Sequence, residues 1–326
     1  MKHTICTVSI YLTLLTFSFT VPSYACTLYS AAGSAVSDGG TLLAKVRDQK
    51  PENQYWYLVT PPEGYAYYGI FTQLNDHGLR DGLNEKGLVA VTSTVSTIPK
   101  NKRLAAPAYP GGTLKYILTY CGSVTDVLAM ATKTWMSPQN IMIADKEEIA
   151  YIEIGLDGKY SVTRQQNGTL HHTNHFVNND MQDSNILATS PSSLTRYNRI
   201  SELLSRQKQF TFDDFIRFSD DRHNGPNNSI WRIGERSSIE SLGALIVHIS
   251  PSGAPEIYLK LRKTPDQKGK ETLQHFTADQ LFPSPQAEKS AVNTTPIDHF
   301  TFAFQKFFQG IYGIFFSLYT LVTIGH

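Results

Sequence analysis

An apolar stretch that stops just ahead of a cysteine constrains this chain more than any other feature. Lys2 supplies a positive start, and residues 5–21 are mostly apolar but short for a membrane span. Pro22 then breaks the run, and Ser23-Tyr24-Ala25 places small residues at both recognition positions of an export cleavage site. The expectation is a signal peptide over residues 1–25, removed to leave Cys26 as the first residue of an exported, periplasmic or secreted protein. An uncleaved membrane anchor and a lipid-bearing cysteine are the competing readings. Ser23 stands where a lipoprotein signal usually has an aliphatic residue.

An N-terminal cysteine carries its own base. Its free α-amine, with a reference pKa of about 7.7–8.0, is partly neutral near pH 7 and can take the thiol proton directly or through water. No histidine partner is then needed, and the ten histidines of the chain form no HExxH or comparable pairing. Of the three cysteines, Cys6 leaves with the signal. A Cys26–Cys121 disulfide is the ordinary reading in an oxidising compartment. Chain ends fray, so the first mature position is a poor one for a structural half-cystine. That favours chemistry for Cys26 and a buried, apolar role for Cys121.

The 326 residues are 41% hydrophobic and 17% charged, enough apolar surface for a sizeable core. A net charge of +1 gives no electrostatic case for nucleic acid. Apolar, aromatic and β-branched runs between turn residues predict strands over 27–29, 41–46, 54–71 about the turn Pro61-Pro62-Glu63-Gly64, 89–97 after a turn over 83–88, 140–144, 149–154, 160–164, 242–249 and 256–261. Helical spacing is read over 114–134, with a cap region at Ser123 to Asp126, over 193–205, and over 211–219, where Thr211 and Asp214 fit a capping box.

Ordered fragments then run through the chain. Cys26-Thr27 is followed by Asp38-Gly39-Gly40-Thr41-Leu42-Leu43-Ala44-Lys45-Val46-Arg47-Asp48, by Asn84-Glu85-Lys86-Gly87-Leu88, by Ala144-Asp145 and by Ile152-Glu153. Thr173-Asn174-His175-Phe176 and Asn227-Asn228-Ser229-Ile230-Trp231-Arg232 complete the set. This order resembles the acyl-CoA:6-aminopenicillanic acid acyltransferase family, nearest its carcinine-hydrolase-like linear amide hydrolases. These are N-terminal-nucleophile (Ntn) hydrolases related to the choloylglycine hydrolases and to dipeptidases with an N-terminal cysteine.

The resemblance implies an α+β fold, an αββα four-layer sandwich with two stacked antiparallel sheets. It also implies catalytic roles for Cys26 (nucleophile), Asp48 (beside the α-amine), Asn174 (oxyanion donor) and Arg232, with Lys45 where the family usually has arginine. On the substrate side stand Thr94, Arg196 and His175, with Tyr65 from the aromatic segment Tyr55-Trp56-Tyr57 through Phe71, which suits either the lining of a pocket for an apolar acyl or amine group or core packing. Arg196 is an alternative to Arg232. Where the bile-salt-cleaving relatives have a second asparagine this chain has Val91-Thr92-Ser93-Thr94, so that donor is absent, replaced by a hydroxyl, or supplied by a backbone N–H near Thr94. The implied activity is hydrolysis of a linear amide C–N bond through a thioester, with acyl transfer left open. Neither a metal nor an organic cofactor is implied, and the implied partner is a small-molecule amide. A dipeptidase remains an alternative, as does a non-enzymatic envelope lipoprotein or tail-anchored protein.

The domain is therefore expected over residues 26–263, followed by a polar linker over 264–297 and an apolar C-terminal helix over 298–326. Within the tail, 307–324 is long enough for membrane contact, and packing on the domain or in a homo-oligomer interface suits it equally.

Overall fold

The computed structural model describes residues 25–74, 78–130, 135–234, 239–262 and 271–282. The expected signal segment up to residue 24, the linker residues 264–270 and 283–297, and the apolar tail lie outside the described residues. The chain divides into two compact units, Met1–Ala278 and Asp279–His326. Of the second, only residues 279–282 are described. Among the described residues no helix is long and apolar enough to cross a membrane.

The first unit holds two antiparallel sheets. The first sheet contains β1 (Ala25–Ala32), β2 (Thr41–Gln49), β10 (Gly168–His172), β11 (Glu240–Ile249), β12 (Pro255–Arg262) and β13 (Glu271–Thr277), in the order β10-β1-β2-β11-β12-β13. The second is a meander of consecutive strands: β3 (Tyr55–Val59), β4 (Tyr67–Phe71), β5 (Leu79–Asn84), β6 (Val89–Ser93), β7 (Gln139–Ala144), β8 (Ile149–Ile154) and β9 (Tyr160–Gln165). The helices are α1 (Lys100–Ala105), α2 (Thr113–Tyr120), α3 (Val124–Leu128), α4 (Pro191–Ser205), α5 (Phe212–Ser219), α6 (Gly225–Asn228) and α7 (Ala278–Leu281).

Side-chain alternation makes this a sandwich. Along β2, Leu42, Ala44 and Val46 join Tyr29 and Ala31 of β1 in an apolar cluster beneath α4 and α5. In the second sheet Tyr67, Phe71, Ala90, Ile141, Ile143, Ala150 and Ile152 pack with Ile117 and Leu118 of α2 and Val124 of α3. The alternate residues Leu28, Leu43, Val91 and Met142, all 0% exposed, fill the space between the sheets, where β1 and β2 lie against β6 and β7. The order of layers is helix, sheet, sheet, helix. This is the αββα architecture expected from the family fragments.

Several local details depart from the sequence reading. The single helix read over 114–134 is two, α2 and α3, divided at Cys121-Gly122-Ser123. The Asn84 side chain donates to the carbonyls of Leu118 (3.0 Å) and Cys121 (2.7 Å) at the end of α2, and Ser123 caps α3 by accepting from the Asp126 N–H. The strand read to residue 97 ends at Ser93. The stretch read as a linker holds β13, which extends the first sheet beyond residue 263. Its largely exposed, polar side chains suit an edge strand and hide it from a hydrophobic pattern search. The capping box of α5 forms as expected: the Thr211 side chain accepts from Asp214 N–H, and the Asp214 carboxylate accepts from Thr211 N–H.

Candidate active site

Cys26 is the second residue of β1 and is 8% exposed. Its backbone N–H donates to Asn174 Oδ1 at 2.9 Å. Asn174 follows β10, the neighbour of β1, so the pairing of Leu28 with His172 carries its side chain to the Cys26 nitrogen. The Asn174 amide is held from several sides. Its N–H donates to Ser193 Oγ at 3.1 Å, its carbonyl accepts from Ser96 N–H at 2.8 Å, and its Nδ2 donates to the Thr94 carbonyl at 2.9 Å. An amide NH₂ has two hydrogens, so one remains for another acceptor.

Arg196 comes from α4, where its side chain turns into the sheet and is 0% exposed. Nη1 donates to the Cys26 carbonyl (2.5 Å) and to Thr27 Oγ1 (2.9 Å), while Nη2 donates to Asn174 Oδ1 (2.9 Å). Burial pulls its pKa down to about 10, against the opposing charge of Asp48, so it stays a cation at neutral pH. The sequence reading placed Arg196 on the substrate side. A fully covered guanidinium has no surface to offer a substrate, and its geometry is that of a brace between Cys26 and Asn174.

Asp48 pairs with Ala25 across β1 and β2, opposite the residue that precedes Cys26. It is 2% exposed. Oδ1 accepts from Ser241 Oγ at 2.6 Å, whereas Oδ2 has no hydrogen-bond partner among the described residues. Arg232 Nη1 stands 3.7 Å from Oδ2, close enough for an ion pair but too far for a hydrogen bond, and Arg232 Nε and Nη1 make no hydrogen bond among the described residues. Burial raises the Asp48 pKa, while Arg232, Arg196 and the Ser241 hydroxyl oppose that rise. Both arginines weighed from the sequence therefore reach this corner: Arg232 beside the carboxylate, Arg196 beside the cysteine.

Lys45 lies on the other face of β2, between the sheets. Its Nζ meets Asp81 Oδ1 of β5 at 2.5 Å, and both side chains are almost fully covered. A second polar bridge crosses the sheets at His172 Nε2 and Glu153 Oε1, 2.7 Å apart. Glu153 also accepts from the N–H groups of Val177 (2.6 Å) and Asn178 (3.1 Å). Burial alone would raise the Glu153 pKa, but these donors and His172 bring it below its ordinary value. Glu153 and His172 thus anchor both flanks of the Thr173-Asn174-His175 segment. Thr94 presents its carbonyl to Asn174 and is half-buried. His175 Nδ1 lies 3.0 Å from Ser193 Oγ, and burial lowers its pKa to about 4, leaving it neutral at pH 7.

Tyr65 is not at this site. It belongs to the β3–β4 turn, where Lys86 of the NEKGL turn rests over its ring, 5.2 Å from the centroid. That turn joins β5 to β6 at the start of β6, whereas Thr94 and Asn174 lie past its far end. The reading failed because hairpin aromatics do not reveal which end of a sheet their turn occupies.

Arg80 is the residue that sequence reasoning missed. It lies in β5 beside Asp81, exposed to solvent; burial and then the Arg47 charge lower its pKa, while Glu52, Asp81 and Cys26 oppose that fall. Arg47 itself donates to Gln54 Oε1 (2.8 Å) and pairs with Glu52. Among the described residues no three His, Cys, Asp or Glu side chains converge as metal ligands would. Among the described residues Cys26 and Cys121 are free and buried, and Cys121 sits in the apolar cluster under α2, where burial pushes its thiol up to about 12.

A family model described as acyl-coenzyme A:6-aminopenicillanic acid acyl-transferase matches residues 36–255. Among solved structures, penicillin V acylase from Agrobacterium tumefaciens is similar, with TM-score 0.46 and 14% identity, over 77% of this chain and 86% of that one. A mutant of conjugated bile acid hydrolase from Clostridium perfringens gives TM-score 0.45 and 13% identity, over 77% of this chain and 96% of that one. No curated protein sequence matches the chain.

Proposed function

Because the chain belongs to the acyl-coenzyme A:6-aminopenicillanic acid acyltransferase family, we propose that it is an exported hydrolase of linear amides whose nucleophile is Cys26, freed at the N-terminus by removal of residues 1–25. Cleavage converts the Cys26 amide nitrogen to an α-amine that keeps Asn174 Oδ1 as its acceptor. The ammonium form finds a counter-charge in Asp48.

The supporting observation is Asp48 Oδ2, buried opposite the residue that cleavage removes and, among the described residues, without a hydrogen-bond donor, its nearest cation being Arg232 at 3.7 Å. A buried carboxylate oxygen without a donor costs about 1–3 kcal/mol or more. A cation arriving beside it on maturation relieves that cost.

In the reaction, the α-amine takes the thiol proton and the thiolate attacks the amide carbonyl. The second Asn174 Nδ2 hydrogen and a backbone N–H near Thr94 stabilise the oxyanion. The C–N bond breaks as the α-ammonium passes its proton to the leaving amine. Water then attacks the thioester, giving its proton to the α-amine, and the acid departs with the thiol restored. Arg196 holds the Cys26 carbonyl and Asn174 in register throughout, and the Lys45–Asp81 pair closes the opposite wall.

The test joins N-terminal sequencing of exported protein to an amidase screen of wild type, Cys26→Ser and Cys26→Ala, with intact-mass detection of an acyl adduct. The expected result is a Cys26 N-terminus, an adduct on wild type only, and no turnover by either variant. Full activity with the signal retained, or a diacylglycerol on Cys26, sinks the reading.

A further inference from the structure

From the strand register around β5 we infer that Arg80 is a specificity-determining residue that receives a carboxylate of the substrate beside Cys26. This rests on the amide-hydrolase reading above and names the class of amide: one that carries an acid group.

The first observation is a β-bulge. Leu79 pairs with Phe71 and Asp81 with Ile70, so consecutive residues of β4 face residues two apart on β5, and Arg80 is the extra one. The faces agree with this. Leu79 packs on the outer apolar cluster, while Asp81 points between the sheets to Lys45. Residues two apart in a regular strand share a face, so the chain is rotated at Arg80. Bulges beside active sites re-aim side chains in this way.

The second observation is charge. Cys26 is the strand partner of Arg47, and the charges that act on Arg80 are Arg47, Glu52, Asp81 and Cys26. Lys45 is matched by Asp81, and Arg47 by Glu52. Arg80 has no hydrogen bond or ion pair from its guanidinium among the described residues. It is open to solvent, yet burial by surrounding protein is the main cause that lowers its pKa. A guanidinium presents a planar fork of donors that matches a carboxylate in bidentate fashion.

The probes are N-acetyl-, N-octanoyl- and N-phenylacetylglycine against the corresponding glycinamides, and succinic acid monoamides against the succinic diamides, to test a carboxylate on either flank of the scissile bond. Wild type is expected to favour the acid over its neutral twin by roughly 10- to 100-fold in kcat/KM in at least one series. Arg80→Gln is expected to bring that ratio near one, and Arg80→Lys to restore part of it. A wild-type ratio near one in both series, or a ratio unmoved by Arg80→Gln, overturns the proposal. Calorimetry of the same pairs on the Cys26→Ala protein separates the two ideas. A charge preference in binding that depends on Arg80, without turnover by wild type, refutes the hydrolase reading alone. Equal binding of acid and neutral twin refutes the role of Arg80.

Discussion

The outer faces of the two sheets and the space between them near Cys26 are built on different rules. The outer faces carry apolar clusters, one under α4 and α5 and the other under α2 and α3. Between the sheets near Cys26 stand Lys45, Asp81, Glu153 and His172, all at 2% exposure or less. The first region is stabilised by area removed from water, about 25 cal/mol per Å². The second gains little net energy from its ion pairs, because desolvation offsets most of the attraction. What such pairs supply is fixed geometry for the segments that carry Cys26 and Asn174.

The largest expected effect tests whether the polar region is a site at all. Cys26→Ala should lower amide turnover at least about 10⁴-fold while leaving the melting temperature close to wild type. An activity loss matched by unfolding in calorimetry would mean that Cys26 is merely structural. Next comes the broken pair. Asp81→Leu strands the Lys45 ammonium and should cost about 3–5 kcal/mol in denaturant unfolding. Adding Lys45→Met should recover most of it, because the charge is then gone from both sides. In the outer cluster no such recovery is available: Leu118→Ala should cost about 2–5 kcal/mol whatever its neighbours carry.

Asn174→Ala should reduce kcat by about 10²–10³-fold if the amide donates to an oxyanion. A change in KM alone would assign it to positioning.

The pH dependence sharpens the contrast further. Burial, followed by the charge of His172, holds His171 and His175 down at about 4, below the ordinary histidine value of 6.5. A base with a depressed folded pKa binds its proton more readily when unfolded. Stability should therefore be full above pH 6.5 and decline between 6.5 and 4, and His175→Gln should flatten part of that decline in pH-dependent melting. The smallest effect belongs to the surface. Arg206→Ala removes an exposed i,i+4 pair with Glu202 and should leave the melting temperature close to wild type.

Which strands were legible follows from how they are buried. Strands covered on both faces, such as β8 with every residue buried, announce themselves as apolar runs. The edge strand β13 has nothing to bury on one side and passes for a linker. Strand β5 was missed for another reason: Arg80, Asp81 and Gly82 interrupt any apolar run there, and only pairing with β4 and β6 makes it a strand. Among site residues, Cys26, Asp48, Asn174 and Arg232 could be named because ordered fragments carry them. Arg80 stands beside a fragment rather than in one, and its direction depends on a bulge.

By itself the sequence determined the alternation of strands and helices, the capped start of α5, and the ordered fragments that mark the family. Those are local properties, set by side-chain period, turn chemistry and capping. Only the tertiary structure decided that Arg196 braces Cys26 from a helix, that Tyr65 lies at the wrong end of its sheet, and that the Arg80 guanidinium makes no hydrogen bond among the described residues. Each depends on which strands become neighbours and in what register, and register depends on partners that are far away in the chain.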